Sequence, residues 1–201
     1  MKKAGLELTP EQIFSNTNAS MKDAIVLLPG GTGGFISADG IIVTNHHIAF
    51  AGLQELSSVQ DDYLQNGFLA STKDKELSTS YTAEIVQTMT DVTVEILSAV
   101  NDTMKEDERE RVIRSKRKEI EDKWQDSTKL ACRVSELYGG VKYYLFISLQ
   151  LQDVRLVYAP PEAIGNFGGE TDNWTWPRHT GDFALLRAYT VPDGKPAKYS
   201  T

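Results

Sequence analysis

The chain reads as a mainly β fold carrying a helical insertion. Short apolar or alternating runs at 24–28, 81–90 and 143–158 have the period of strands, and glycine or proline bounds the first and the last. An Asp39-Gly40 pair between two further runs marks a hairpin, and from Val92 to Asp126 the apolar residues recur at helical spacing. With 201 residues, 40% of them hydrophobic, the chain can bury a substantial core. Its 21 basic and 28 acidic residues give a net charge of -7, which argues against nucleic acid or an anionic membrane as partner. No apolar run is long enough to span a bilayer.

In chain order, Met1-Lys2-Lys3-Ala4-Gly5-Leu6 is basic but has no apolar stretch behind it, so it is not an intact signal peptide, and a leader removed earlier stays open. Thr9-Pro10-Glu11-Gln12 carries helix-start chemistry: threonine as N-cap, proline at the first helical position and glutamine as capping-box partner, with a helix expected over about 10–16. Ala24 to Leu28 is a compact strand closed by Pro29-Gly30-Gly31. Gly33 to His47 follows as a hairpin, its Asp-Gly turn supplying positive φ angles and its second strand ending in the pair His46-His47.

Residues 81–90 alternate as a strand, and Asp91 then offers a helix cap. Leu97, Val100, Met104, Ile113, Ile120 and Trp124 place an apolar stripe on the helix that follows. Between Lys105 and Lys123 stand eight basic and seven acidic residues, with Asp107/Arg111, Glu110/Arg114 and Glu119/Lys123 spaced for ion pairs on a solvated face. After Gly139-Gly140 strand chemistry returns over 143–151 and 154–158, until Pro160-Pro161 ends it. The single cysteine, Cys132, excludes an intrachain disulfide.

The residues that carry chemistry are His47 and Asp182. An imidazole beside a carboxylate is the base and orienting acid that peptide hydrolysis by a hydroxyl nucleophile requires. No serine completes the set. Gly165-Asn166-Phe167-Gly168-Gly169 has the outline of a nucleophile loop, but Phe167 stands where the hydroxyl should be and the loop precedes Asp182.

Two levels of resemblance narrow this. Gly-Thr-Gly-Gly-Phe-Ile-Ser-x-x-Gly ending in Thr-Asn-x-His, with Asp182-Phe183-Ala184-Leu185-Leu186, resembles the base hairpin and acid strand of chymotrypsin-clan proteases. Asp172-Asn173-Trp174-Thr175-Trp176-Pro177-Arg178-His179-Thr180-Gly181-Asp182, together with Thr44-Asn45-His46-His47, is similar to the bacterial dipeptidyl-peptidases of types 7 and 11, over most of the chain.

The resemblance implies the first β-barrel half of a chymotrypsin-like double barrel. Residues 1–90 would hold the N-terminal helix and the first strands with the histidine hairpin, 91–127 the helical insertion, and 128–201 the remaining strands. The serine and the second barrel would lie beyond Thr201, leaving the isolated chain inactive. The resemblance also implies His47 as base and Asp182 as acid, with Asn173 and Trp174 binding the free amino terminus of a peptide substrate. An amide oxygen and an aromatic face suit an ammonium group. The family spacing Thr-Asn-x-His selects His47 over His46, on the reasoning that adjacent strand residues point to opposite faces. His46 and His179 then become structural, and Trp176 stays open between packing and binding.

A periplasmic or cell-surface location and a homodimer follow from the same resemblance. The family's usual cysteines before the hairpin and after the histidine pair are absent, replaced by Gly30, Gly31 and Thr32 and by Ile48. Among rival readings, a zinc hydrolase built on the three histidines and Asp182 is disfavoured, since adjacent histidines are poor ligands for one ion, and no cofactor or metal is expected. Endopeptidases of the periplasmic high-temperature-requirement type share Thr-Asn-x-His and Asp-x-Ala-Leu-Leu but lack the tryptophan segment. A chain bearing base and acid alone could also be an inactive pseudo-protease or binding fragment.

Overall fold

The computed structural model describes residues 2–101, 103–165 and 181–190. Its strands are β1 (Ile25–Leu28), β2 (Gly31–Phe35), β3 (Ile41–Thr44), β4 (Phe68–Leu69), β5 (Leu77–Ser78), β6 (Ala83–Asp91), β7 (Ala131–Leu137), β8 (Lys142–Leu151), β9 (Val154–Ala159) and β10 (Ala184–Ala188). The helices are α1 (Pro10–Ile13), α2 (His46–Leu56), α3 (Tyr63–Asn66), α4 (Thr93–Leu97), α5 (Glu106–Thr128) and α6 (Glu162–Gly165). They fall into two compact units, one made of 1–15, 19–85 and 151–201, the other of 16–18 and 86–150. The helices of the expected insertion lie in the second unit together with β7 and most of β8.

In the first unit the strands run β4-β9-β10-β3-β2-β1, with β5 also on β9 and the start of β6 on β1 through Leu27 and Glu84, all antiparallel. Alternation drives one face inward: Val26 and Leu28, Ile42 and Thr44, Val154 and Leu156, and Ala184 and Leu186 are buried. Ala49 and Leu53 of α2 are buried as well.

Strand β10 is tied to its surroundings by a buried ion pair. Arg187 Nε donates to both oxygens of Glu76, at 3.0 and 3.2 Å, and Arg187 Nη1 donates to the carbonyl of Asp39 at 2.7 Å. The guanidinium thereby links the acid strand to the lead-in of β5 and to the β2–β3 loop.

That loop departs from the expected tight turn. It spans five residues, and only Gly40 adopts a positive φ, +73°. The Ser37 hydroxyl accepts from the backbone of Asp39 and of Ile41, so a local side-chain turn replaces the two-residue form. Glycine is required at 40 on a second count, because a Cβ there would lie 2.9 Å from the carbonyl oxygen of Ala188.

Helix α1 carries the expected capping box, Thr9 Oγ1 accepting from Gln12 N and Gln12 Oε1 from Thr9 N, yet it ends at Ile13 and does not reach 16. The polar run Ser15-Asn16-Thr17-Asn18 favours turn conformations and offers no apolar face to bury.

The second unit packs Val92, Ile96, Ile120, Val134, Tyr143, Leu145 and Ile147 into one core, with Leu97 and Ile113 against it; of the expected stripe Leu97, Ile113 and Ile120 reach this core, whereas Val100 and Met104 are not part of it and Trp124 is 37% exposed. The stripe is split between two helices. Over 98–105 the Ser98 hydroxyl donates to the Glu95 carbonyl, and Asn101 Oδ1 accepts from the amide and hydroxyl of Thr103, local bonds that compete with the helical ladder.

None of the three expected ion pairs on α5 forms. Arg111 Nε instead donates to the Asp107 carbonyl, and the pairs present on this helix are Lys116–Glu119 and Lys118–Asp122. Strand β7 was not foreseen, its alternation being diluted by Arg133, Ser135 and Glu136. It pairs with β8 from Ala131↔Ser148 to Leu137↔Lys142.

Removing the carboxylate from Glu76 leaves a buried guanidinium uncompensated. Glu76→Ala is expected to cost about 3–5 kcal/mol in urea unfolding, and the double variant Glu76→Leu/Arg187→Leu far less. A cost below about 1 kcal/mol for the single variant would show that the pair does not anchor β10.

Candidate active site

The register of β3 on β10 assembles the site. Ala184 pairs with Thr44, and the two chains run on past the ladder, β10 back to Asp182 and β3 forward into Asn45 and α2. Residues 135 apart in sequence thus meet. His47 Nδ1 lies 2.7 Å from Asp182 Oδ2, and the His47 backbone N–H donates to Asp182 Oδ1 at 3.1 Å.

The histidine pair opens helix α2 and does not close a strand, which corrects the geometry expected of it. Asn45 is the N-cap, with φ -78° and ψ 151°, and the run from Ile48 to Leu56 supplies helix formers with a buried edge. Adjacent residues on a helix diverge by about 100° and do not oppose each other. That divergence still sorts the two rings: the His47 side chain is 66% exposed, whereas His46 is 1% exposed, edge-on to Phe50.

Asp182 serves as a substitute helix cap. An Asn at N-cap ordinarily accepts from the first turn through its own side chain, but the Asn45 side chain makes no such bond. Its Nδ2 donates instead to the carbonyl and to Oδ2 of Asp182, both at 3.2 Å. The carboxylate takes over the capping role by accepting from His47, the second residue of the helix, where the helix dipole also favours negative charge. Asn45 is the site residue that the motif contained without a role; its position just before a helical run was the available signal.

Electrostatics follow from these contacts. Burial pushes the Asp182 carboxyl up, but the bonds from the His47 backbone, the His47 ring and Asn45 outweigh it and hold the group below the ordinary carboxylate value. An ionised carboxylate only accepts, so the proton of neutral His47 sits on Nδ1 and the lone pair on Nε2. Nε2 of an exposed ring can then take a proton from an approaching group.

Burial drives His46 the other way, lowering its pKa against the opposing pull of Asp182 and Glu162, and its Nε2 has no hydrogen-bond partner among the described residues. Gly165 lies directly on this ring, where any Cβ would overlap His46. Ile48, in the position of one expected family cysteine, packs its side chain over Gly31 in the region of the other.

Asn173, Trp174, Trp176 and His179 lie outside the described residues, as does the 166–169 part of the glycine-rich decoy. Among the described residues no three His, Cys, Asp or Glu side chains gather as a metal cage, and no helix is long and apolar enough to cross a membrane.

Comparison with known proteins bears on this geometry. The family model described as Peptidase S46 matches residues 1–201. The chain is 42% identical over 203 residues to a Dipeptidyl-peptidase 7 of Capnocytophaga gingivalis, and 40% identical over 212 residues to an Asp/Glu-specific dipeptidyl-peptidase of Porphyromonas endodontalis. All of the chain aligns in both cases, but it spans only 28% and 29% of those proteins. Its fold, mainly antiparallel sheet with helices, is similar to the crystal structure of Porphyromonas endodontalis DPP11 in complex with substrate. That likeness has a TM-score of 0.83 at 40% identity, and covers 100% of this chain and 30% of the other.

The lowered Asp182 carboxyl makes a prediction about pH. An unfolded chain takes up this proton first as pH falls, so the contribution of the group is complete above its unfolded value of 3.8 and is lost as pH falls through the lower folded value. The stability advantage over Asp182→Asn in urea unfolding is therefore expected to be full at about pH 6 and to shrink below about pH 4. An advantage constant with pH would show that the carboxylate charge is not what the site stabilises.

Proposed function

Because the chain belongs to the peptidase S46 family, we propose that it supplies the base and orienting acid of a serine-type dipeptidyl-peptidase, which releases dipeptides from the free amino terminus of peptides. The observation that carries this reading is the 2.7 Å bond from Asp182 to His47 Nδ1, with the opposite edge of the exposed imidazole available.

In this mechanism His47 Nε2 accepts the proton of a serine hydroxyl as the oxygen attacks the scissile carbonyl. It returns that proton to the departing amine, and a water then repeats the cycle on the acyl-enzyme. Asp182 holds the tautomer and stabilises the imidazolium without itself taking the proton. The serine and the groups that receive the oxyanion come from chain outside these 201 residues. The greater length of the relatives supports this, as the chain spans 28% of one and 29% of another. The first unit is then one barrel half of a chymotrypsin-like pair.

Asn173 and Trp174 bind the substrate ammonium, which limits cleavage to the second peptide bond. The names of the relatives favour dipeptide release over the endopeptidase reading. A location in the periplasm or at the cell surface, and a homodimer of the full-length protein, belong to the same reading.

Full-length protein given peptides with free amino termini is expected to release dipeptides, read by mass spectrometry. Acetylated peptides should be left intact, and purified 1–201 alone should release none. His47→Ala and Asp182→Asn should each lower kcat by about 10³-fold or more. Internal cleavage of acetylated peptides, or a His47→Ala variant with undiminished turnover, would overturn the assignment.

Asn173→Ala should act differently. It removes a bond to a charged group worth about 1.5–3 kcal/mol, so KM should rise by about 10- to 100-fold. A change confined to kcat would remove Asn173 from the ammonium site.

A further inference from the structure

We infer that Tyr81 is a positioning residue for His47, holding the helix of the base against the sheet that carries the acid; the inference rests on the dyad reading above. The Tyr81 ring is buried, and its hydroxyl donates to the carbonyl of Ile48 at 2.7 Å while accepting from the N–H of Gly52 at 3.0 Å. Ile48 and Gly52 are four residues apart in α2, so the hydroxyl engages both ends of one helical rung. That rung begins at the residue after His47. A Cβ at Gly52 would rest in ordinary van der Waals contact with the Tyr81 ring, at 3.4 Å.

The segment holding Tyr81 is fixed at its other end to the sheet. Thr79 Oγ1 donates to the carbonyl of Val154 at 2.7 Å, the Thr79 N–H reaches the same carbonyl at 3.2 Å, and Tyr81 N–H donates back to Thr79 Oγ1. Ser80 adds a second hold on the helix, its hydroxyl donating to Glu55 at 2.6 Å. Val154 pairs with Ala188 on β10, the strand that Asp182 precedes.

Base and acid are thus joined by two routes. One is the pair of direct bonds from the His47 backbone and ring to Asp182. The other runs from α2 through Tyr81 and Thr79 to β9 and β10, and it fixes the backbone on which the His47 ring stands. The direct bonds hold the opening of α2 at His47; the strut holds the rung that follows it, between Ile48 and Gly52.

Tyr81→Phe keeps the ring packing and deletes both hydroxyl bonds. In the full-length protein kcat for dipeptide release should fall about 10-fold, with KM changed by less than about two-fold. The acid limb of kcat/KM, which reports ionisation of the base, should move to lower pH as the imidazolium loses part of its carboxylate contact. Thr79→Val, which removes the Oγ1 bonds at the far end of the strut, keeps the backbone bond to Val154 and spares the Tyr81 hydroxyl, should move both readouts in the same direction and less far, and decides the matter if Tyr81→Phe fails to fold.

Wild-type protein and His47→Ala run alongside. Absence of dipeptide release from wild type, or full activity of His47→Ala, would sink the peptidase reading itself. With those two behaving as expected, an unchanged kcat, a change in KM alone, or an unmoved acid limb in the variants would overturn the role of Tyr81.

Discussion

One carboxylate makes two bonds to one residue, and the arrangement of the site depends on it. Asp182 accepts from the His47 backbone through Oδ1 and from the His47 ring through Oδ2. The first bond caps a helix, and the second fixes a tautomer. Since both end on His47, the ring cannot turn about its own backbone without giving up the second bond. Preorganisation of this kind supplies much of the rate in acid-base catalysis, because the orientation cost is met in folding and not at each turnover. Asn45 completes the arrangement by giving its amide to Asp182 in place of its own helix.

Such a bond holds only if both backbones are fixed, and the first unit fixes each separately. On the acid side, β10 lies between β3 and β9, and Arg187 ties it to Glu76 and to the Asp39 carbonyl. A buried ion pair is weak evidence for stability, because desolvation offsets much of its attraction. What this one provides is location: the guanidinium ties the strand to two other segments, the lead-in of β5 and the β2–β3 loop. On the base side, Tyr81 holds the first turns of α2 from within the same unit.

What was legible in the sequence was the chemistry and the strands that carry it. The hairpin, the acid strand and 143–158 announced themselves through alternation and turn residues, and the structure brings His47 to Asp182. Helix α2 was not legible, because its start overlaps the polar end of β3 and its interior holds Gly52. The cap that makes it a helix also comes from Asp182, a residue far along the chain. The break at 98–105 was hidden for a related reason. Apolar spacing continues through Val100 and Met104, while the side-chain bonds of Ser98 and Asn101 that interrupt the helix leave no periodic trace. The charged pairs on α5 failed because spacing permits an ion pair without selecting it, and exposed pairs gain little by forming.

The pairing of two adjacent histidines poses an electrostatic problem that their burial resolves. During the proposed cycle His47 becomes an imidazolium, and a second positive ring beside it would compete for the same carboxylate. Asp182 does pull on His46, and so does Glu162, yet burial wins and keeps that ring on the neutral side. Its Nε2 has no hydrogen-bond partner among the described residues and Gly165 lies directly on the ring, surroundings in which a charged ring would be costly. A neutral His46 therefore leaves the full charge of Asp182 to His47. Moving His46 to the surface would divide that charge between two rings and weaken the hold on the one that does the chemistry.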